Sequence, residues 1–291
     1  MSDVFTIVPR GPFSLEEAAR FGFGQRLDVG WDGVMRLAFC LDGHRGHCGV
    51  ELRQDCAGVH CCVQGDGELS SVRSQVARVL SLDHDGGEFL EVGRRDPIIA
   101  SLQAAAPGLR PPLFHSPYEA AAWSIISARR PALQMSEVRR QLAEEHGATF
   151  ELAGQRLAAF PTPEQLLGVD SVPGLTHEKV LRLHGVAEAA LAGRLDADHI
   201  KSLGPDAAMA ELRAIKGIGP FYSALIVVRS SGLADVPVAE PMAMELAGRL
   251  YGLSGTPTAD EFMAMAERWR PFRTWAVVLI RAAGGRVLPR P

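Results

Sequence analysis

Apolar and polar residues alternate, in part, over residues 3–9, 34–41, 48–54 and 58–64, and these runs are rich in Val, Ile, Phe and Cys. That period and those residue types predict four strands. Around them the period lengthens. Ser14-x-x-Glu17 has the form of a capping box opening a short helix, and Glu68 to Leu82 is a longer amphipathic helix. Strands covered by one or two helices predict an α+β domain, assigned to residues 1–92. Pro107-Gly-Leu-Arg-Pro-Pro112 reads as a linker by composition. Beyond it, Ser116-Pro117-Tyr118-Glu119 offers Ser as N-cap, Pro at the first helical position and Glu two residues on, a strong helix start. Helical patterns recur at 132–146, 163–168, 176–192, 206–215, 220–231, 241–251, 258–268 and 272–283, with Gly or Pro at most joints. Residues 93–291 are therefore predicted to be all-α, and the chain as a whole mainly α.

Composition narrows the class. The chain of 291 residues has room for two domains, and its hydrophobic content of 47% with a mean hydropathy of +0.05 is that of a globular protein. No apolar run reaches the roughly 20 residues of a membrane helix and no signal-peptide pattern opens the chain, so a cytoplasmic protein without membrane contact is expected. The net charge of −4 is unevenly spread: residues 1–95 carry 10 Lys/Arg against 14 Asp/Glu, and residues 96–291 carry 20 of each. The acidity belongs to the α+β part, which argues for scaffolding there. All five cysteines lie early, at 40, 48, 56, 61 and 62, near His44, His47 and His60. No C-x-x-C pair occurs and the gaps match no common zinc pattern, so small thiols on strands explain them better than a metal site.

The most informative stretch is Leu212-Arg-Ala-Ile-Lys-Gly-Ile-Gly-Pro-Phe-Tyr-Ser-Ala224. Gly217 and Gly219 stand between two helical patterns, where glycine admits positive φ and keeps side chains out of the way. The amides of Ile218 and Gly219, with those opening the next helix, are expected to lack intrahelical partners and so to bind an anion. Pro220 suits the first turn, where a missing N–H costs nothing. This geometry grips phosphate, although a tight turn between helices with no ligand would read similarly from Gly-x-Gly alone.

The full string resembles the helix-hairpin-helix of base-excision DNA glycosylases, L-P-G-I-G-x-x-T-A, with Lys216 in place of the usual proline. Val236-Pro-Val-Ala-Glu240 resembles the Gly/Pro-rich loop and catalytic Asp of that superfamily. Ala266-Glu-Arg-Trp-Arg-Pro-Phe-Arg-Thr-Trp-Ala276 resembles the C-terminal signature of its 3-methyladenine DNA glycosylase II (AlkA-type) branch. The matching elements run from about Asp96 to Ala283, two thirds of the chain. The resemblance implies a TATA-binding-protein-like N-terminal domain and a base pocket between two helical subdomains. It implies double-stranded DNA with a damaged base as partner, acting on a monomer associated in use with a bacterial-type nucleoid. The DNA contacts it implies are Gly217, Ile218, Gly219, Pro220, Tyr222 and Ser223, with Lys216 facing phosphate or solvent. No cofactor is implied, because the four-cysteine iron–sulfur loop of some relatives would follow the catalytic segment and no cysteine follows Cys62.

Ile125-Ile-Ser-Ala-Arg129 resembles the family segment I-x-G-Q-Q/R, and Ala128 stands where the Gln beside the flipped base would be. Trp123, Phe221, Tyr222, Trp269 and Trp275 could stack on an extruded base, but aromatics on helices are usually core. Phe221 and Tyr222, directly after the hairpin, are the preferred pocket residues, with Trp123 and Ala128 beside them. For the carboxylate that stabilises oxocarbenium charge and orients water, two registers compete. Relatives reading V-P-V-D put Ala239 in the place of Asp. Counting back from Tyr251, where relatives often have a Tyr about eleven residues after the Asp, gives Glu240. Helix spacing is the more rigid ruler and favours Glu240, at the N-cap before Pro241. Glu is expected to cap poorly, its extra methylene overshooting the amides, so a carboxylate there suggests function over structure. Asp235 and Glu245 rank below it. Bifunctional relatives carry a Schiff-base Lys two residues after the second Gly, the position of Phe221 here, so base release without strand cleavage is implied. The expected activity is monofunctional hydrolysis of the N-glycosidic bond of a damaged, alkylated purine. The alternative is a DNA- or damage-binding protein that keeps the fold with impaired catalysis.

Overall fold

The structure, a computed structural model, describes residues 3–21, 30–65 and 67–288. The strands form where alternation predicts them: β1 (Asp3–Ile7), β2 (Met35–Cys40), β3 (His47–Asp55) and β4 (Gly58–Gly65). They make one antiparallel sheet in the order β1-β4-β3-β2. Its register sets Met35, Leu52, Cys61 and Phe5 side by side across one face, and the first three are buried. Cys40 and Cys48 are buried on the same sheet, whereas Cys56 sits exposed in the β3–β4 turn. Among the described residues no group of three or more His, Cys, Asp or Glu is placed to hold a metal ion. None of the described helices is long and apolar enough to cross a membrane.

Helices follow the capping chemistry. Ser14 Oγ accepts the Glu17 amide at 3.1 Å to open α1 (Leu15–Phe21). After α2 (Leu69–Val79) come α3 (Gly86–Arg95) and α4 (Pro97–Ala105), two helices that the sequence reading did not anticipate. Asp85 caps the first through the Gly87 amide at 2.7 Å, and Asp96 caps the second through the amides of Ile98 and Ile99. Ser116 caps α5 (Pro117–Ser127) through the Glu119 amide at 3.1 Å. The remaining helices are α6 (Ala132–His146), α7 (Pro163–Leu167), α8 (His177–Leu191), α9 (Ala197–Leu203), α10 (Pro205–Leu212), α11 (Pro220–Ser230), α12 (Pro241–Leu250), α13 (Ala259–Ala266) and α14 (Arg273–Val287).

The segment expected to be all-α holds one exception, a hairpin of β5 (Ala148–Leu152) and β6 (Gln155–Ala159). Its two-residue turn places Ala153 at φ +43 and Gly154 at φ +77, the positive pair that a type I′ turn requires and that Asn-Gly usually signals. The hairpin lies on the four-stranded sheet. The Phe150 ring rests where a Cβ on Gly49 would be, 2.6 Å away. Arg36 donates to the Leu152 and Ala153 carbonyls at 3.0 and 3.1 Å, and Glu51 accepts the Ala153 amide at 2.6 Å.

The chain divides into two compact units, each assembled from separated stretches: Met1–Ile7, Asp32–Val79 and Leu113–Gly232 in the first, Val8–Trp31, Leu80–Pro112 and Leu233–Pro291 in the second. The boundary expected near residue 92 falls inside the second unit. In the first, the fully buried Glu119 joins three elements, accepting the Cys40 amide at 3.2 Å while Arg139 and His115 approach its other oxygen at 2.6 and 3.0 Å. The core of the second unit gathers Phe89, Ile99, Leu102, Phe262, Trp269 and Trp275. Trp269 and Trp275 are thus core, as the rule for helical aromatics predicts. Emptying such a site typically costs about 3–5 kcal/mol.

Candidate nucleic-acid interface and catalytic carboxylate

The hairpin joins α10 to α11 in the first unit. Leu212 and Ile215 are buried, and short turns carry the chain over, with the Ile215 amide on the Leu212 carbonyl at 3.0 Å. Gly217 has φ +100, and a Cβ there would lie 2.8 Å from Ile125 Cδ1 and 3.0 Å from Arg182 Cδ. The positive φ is what calls for glycine; the two close atoms belong to side chains that a Cβ would have to push aside. Gly219 differs from expectation: its φ is −90 and ψ −177, the ordinary conformation of an N-cap, and a Cβ there would meet nothing within 4 Å. The Ile218 amide also differs, because it closes the turn onto the Ile215 carbonyl at 3.0 Å, and its side chain is buried as an anchor. Ser223 is buried, its amide on Gly219 O at 2.9 Å and its hydroxyl on Pro220 O at 3.0 Å, so that side chain braces the first turn. The amides of Gly219, Phe221 and Tyr222 find no acceptor among the described residues. With the positive end of the α11 dipole behind them, these three amides have the geometry that an anion-binding helix N-terminus requires. Exposed Lys216 and Pro220 flank it.

Helix α5 packs beside α11 and brings the other predicted residues of this unit near. Phe221 is 57% exposed and stands edge-on to Tyr222, ring centroids 5.3 Å apart. The Tyr222 hydroxyl lies 3.4 Å from Ser127 Oγ, which itself donates to the Trp123 carbonyl at 2.7 Å. Trp123 and Ala128 are both half-buried, one turn apart on α5 and its C-cap. One contributor was missed by sequence reasoning. Lys179 Nζ donates to the Ile126 and Ala128 carbonyls at 2.7 and 3.1 Å, satisfying the end of α5. Burial lowers its pKa, and the charges of Arg130 and Arg182 lower it further. Nothing in the local sequence of α8 announces that contact.

In the second unit, Glu240 occupies the N-cap of α12, with Pro241 at the first helical position as expected. The expectation that Glu caps poorly is overturned. Its Oε2 accepts the Ala243 amide at 2.7 Å, because the backbone at φ −85, ψ 126 swings the longer side chain back over the first turn. The Glu240 side chain is 23% exposed, and its Oε1 lies 3.4 Å from Arg281 Nη1 on α14. Ala239, the competing register, packs against the core of this unit. Asp235 is committed elsewhere, gripped by Arg273 at 2.8 Å and Arg270 at 2.9 Å. Glu245 is exposed on the helix. At the far end of α12, the Tyr251 hydroxyl donates to Asp96 Oδ2 at 2.7 Å, and Trp269 Nε1 approaches the same oxygen at 3.2 Å. Burial and that carboxylate push the Tyr251 pKa up. A cavity of about 920 Å³, lined by residues including His44, His47, Gln165 and Asp196, contains none of the predicted site residues.

No protein-family model matches the chain. A probable bifunctional transcriptional activator/DNA repair enzyme AlkA of Mycobacterium tuberculosis (strain H37Rv) is 26% identical over 212 residues, 72% of this chain and 42% of that protein. The chain therefore spans less than half the length of that relative. A DNA-3-methyladenine glycosylase of Bacillus subtilis (strain 168) is 22% identical over 200 residues, 67% of this chain and 66% of that one. Among solved structures, the 3-methyladenine DNA-glycosylase from Archaeoglobus fulgidus superposes with a TM-score of 0.78 at 21% identity, covering 97% of this chain and 98% of that one. By sequence the chain is similar to proteins named AlkA and DNA-3-methyladenine glycosylase, and its fold is that of the solved 3-methyladenine DNA-glycosylase.

Proposed function

We propose that the protein is a monofunctional DNA glycosylase that releases a damaged, alkylated purine from double-stranded DNA in base-excision repair, as a cytoplasmic monomer. The observation that carries this reading is the α10–α11 hairpin, whose three unpartnered amides face outward at a helix N-terminus. Such a mouth holds a phosphate without a formal charge, which suits a helical part of zero net charge. The names of the sequence relatives supply the class of reaction.

Glu240 is assigned the chemistry. The bond between the sugar C1′ and the base nitrogen breaks with its electron pair going to the base, leaving oxocarbenium charge on the sugar. The Glu240 carboxylate stabilises that charge and takes the proton of the water whose oxygen bonds to C1′. Fixing the carboxylate on a helix N-cap holds it in place before the reaction, so little reorganisation is needed. The three lysines of the chain fit a mechanism without a Schiff base. Lys179 is engaged with two carbonyls, Lys201 pairs with Asp198 at 3.8 Å, and Lys216 points outward from the turn. A second reading has one observation in its favour: Glu240 is shared between an amide and a guanidinium, the state of a carboxylate serving structure in a DNA-binding protein.

Incubation with methylated and etheno-modified DNA, with chromatography of the released bases, separates the two. A glycosylase releases free base and leaves abasic sites that break only on alkaline treatment. Binding of the same DNA with no base released from either substrate establishes the binding-protein reading instead.

A further inference from the structure

The cation beside Glu240 bears on which bases the site can expel. The Arg281 guanidinium lies 3.4 Å from the carboxylate, and its side chain is 39% exposed. No other ion pair of Arg281 or of Glu240 occurs among the described residues, so the two are each other's charge partner. A carboxylate that acts on the glycosidic bond must come within about 3–3.5 Å of the reacting atoms. Whatever base departs from that bond therefore leaves within about 10 Å of a permanent positive charge, inside one Debye length at ordinary salt.

Two kinds of damaged purine respond oppositely to that charge. A purine alkylated on N3 or N7 is a cation while joined to the sugar; on cleavage it takes the bonding pair and leaves neutral. A neutral lesion, such as an exocyclic etheno adduct, takes the same pair and leaves as an anion, which then acquires a proton from water. A guanidinium in place repels the first in the bound state and stabilises the second as its charge develops. Arg281 also offsets part of the Glu240 charge, so the carboxylate attracts a cationic base less strongly.

We infer that Arg281 makes this site select neutral purine lesions over cationic alkylated ones. The inference rests on the proposed glycosylase reaction and on Glu240 as its carboxylate. Like-charge juxtaposition is strongly disfavoured in a partly desolvated site, so the change in selectivity is expected to be about tenfold or more.

The experiment measures single-turnover release of 1,N6-ethenoadenine and of N7-methylguanine from otherwise identical duplexes at subsaturating enzyme, so that each rate includes binding of the lesion as well as cleavage, corrected for spontaneous depurination. Wild type, Arg281→Gln and Arg281→Lys are compared, with Arg281→Met as a second uncharged variant of similar length. The ratio of the two rates is the readout, because a merely structural role for Arg281 slows both substrates alike. Expected is a shift of at least about tenfold toward N7-methylguanine in the Gln and Met variants, with Lys holding the wild-type ratio. An unchanged ratio in folded Gln or Met variants, with base release still measurable, overturns the charge selection and leaves the glycosylase reading standing. Release of neither base by wild type overturns both.

Discussion

Replacing Gly219 by Asp tests the phosphate mouth in a way that separates binding from folding. Gly219 is the N-cap of α11 at φ −90, open backbone that any residue adopts, and a Cβ there meets no atom within 4 Å. The new carboxylate would accept the amides of the second and third helical positions, Phe221 and Tyr222, as an Asp N-cap does. Asp should therefore leave stability unchanged or raise it by up to about 1 kcal/mol, from a better cap and a less flexible unfolded chain. For DNA the sign reverses. The two amides are already occupied, and a negative charge stands where a phosphate would sit. Losing one hydrogen bond to a charged group costs about 1.5–3 kcal/mol, which is a ten- to hundredfold weaker Kd. Fluorescence anisotropy on an abasic-analogue duplex at fixed salt reads the affinity, and a thermal melt reads the fold. Gly219→Ser occupies the same amides without charge and should lie between the two. A folded Gly219→Asp protein that binds DNA as wild type does would remove the hairpin from the DNA interface.

Glu240→Gln keeps an oxygen for the Ala243 amide but loses the charge facing Arg281. Base release should fall by about two to three orders of magnitude while stability changes by less than about 1 kcal/mol; a rate within threefold of wild type would make Glu240 a bystander. Borohydride trapping on abasic DNA should give no covalent adduct, and an adduct lost in Lys216→Ala or Lys179→Ala would restore a Schiff-base step. Glu119 supplies a pH signature: burial raises its pKa, but His115, Arg139 and the Cys40 amide outweigh that and hold it at about 2 against an ordinary 4.5. A depressed carboxylate stabilises fully above its unfolded pKa, so this contribution should be lost as pH falls from about 4.5 towards 2. Urea midpoints over that range should drop more steeply in wild type than in Glu119→Gln, and parallel slopes would refute the assignment.

What could be read from the sequence follows from how local each signal is. The four strands were legible because buried Val, Leu and Cys alternate along them, as in Val50, Leu52, Val59, Cys61 and Val63. The hairpin was legible because Gly217 answers a local steric demand. The N-cap position of Glu240 was legible because Pro241 follows it and suits the first helical position. The β5–β6 hairpin was not, since Ala153 carries its positive φ under tertiary restraint from Arg36 and Glu51, where Asn would have announced the turn. Helix α3 follows Asp85-Gly86, a pair that also suits a turn, and Asp85 acts as a cap only once Gly87 donates to it; α4 had a local signal in Asp96-Pro97, a cap followed by a first-turn proline, that the reading passed over. Arg281 and Lys179 were out of reach altogether. Their partners lie 41 and about 50 residues away along the chain, and neither position carries a local signal.

The division of each unit into separated stretches fixes an order of events on the ribosome. The first unit needs nothing beyond Gly232. The second begins at Val8 yet lacks Leu233–Pro291 until that stretch has been translated. At about 5–20 residues per second, those 59 residues take roughly 3–12 s to emerge. Throughout that interval Phe89, Ile99 and Leu102 have been made, but Phe262, Trp269 and Trp275, against which they pack, have not. The helix that bears Glu240 is translated only within this last stretch, so the candidate catalytic carboxylate is set in place after the hairpin meant to grip DNA is already complete.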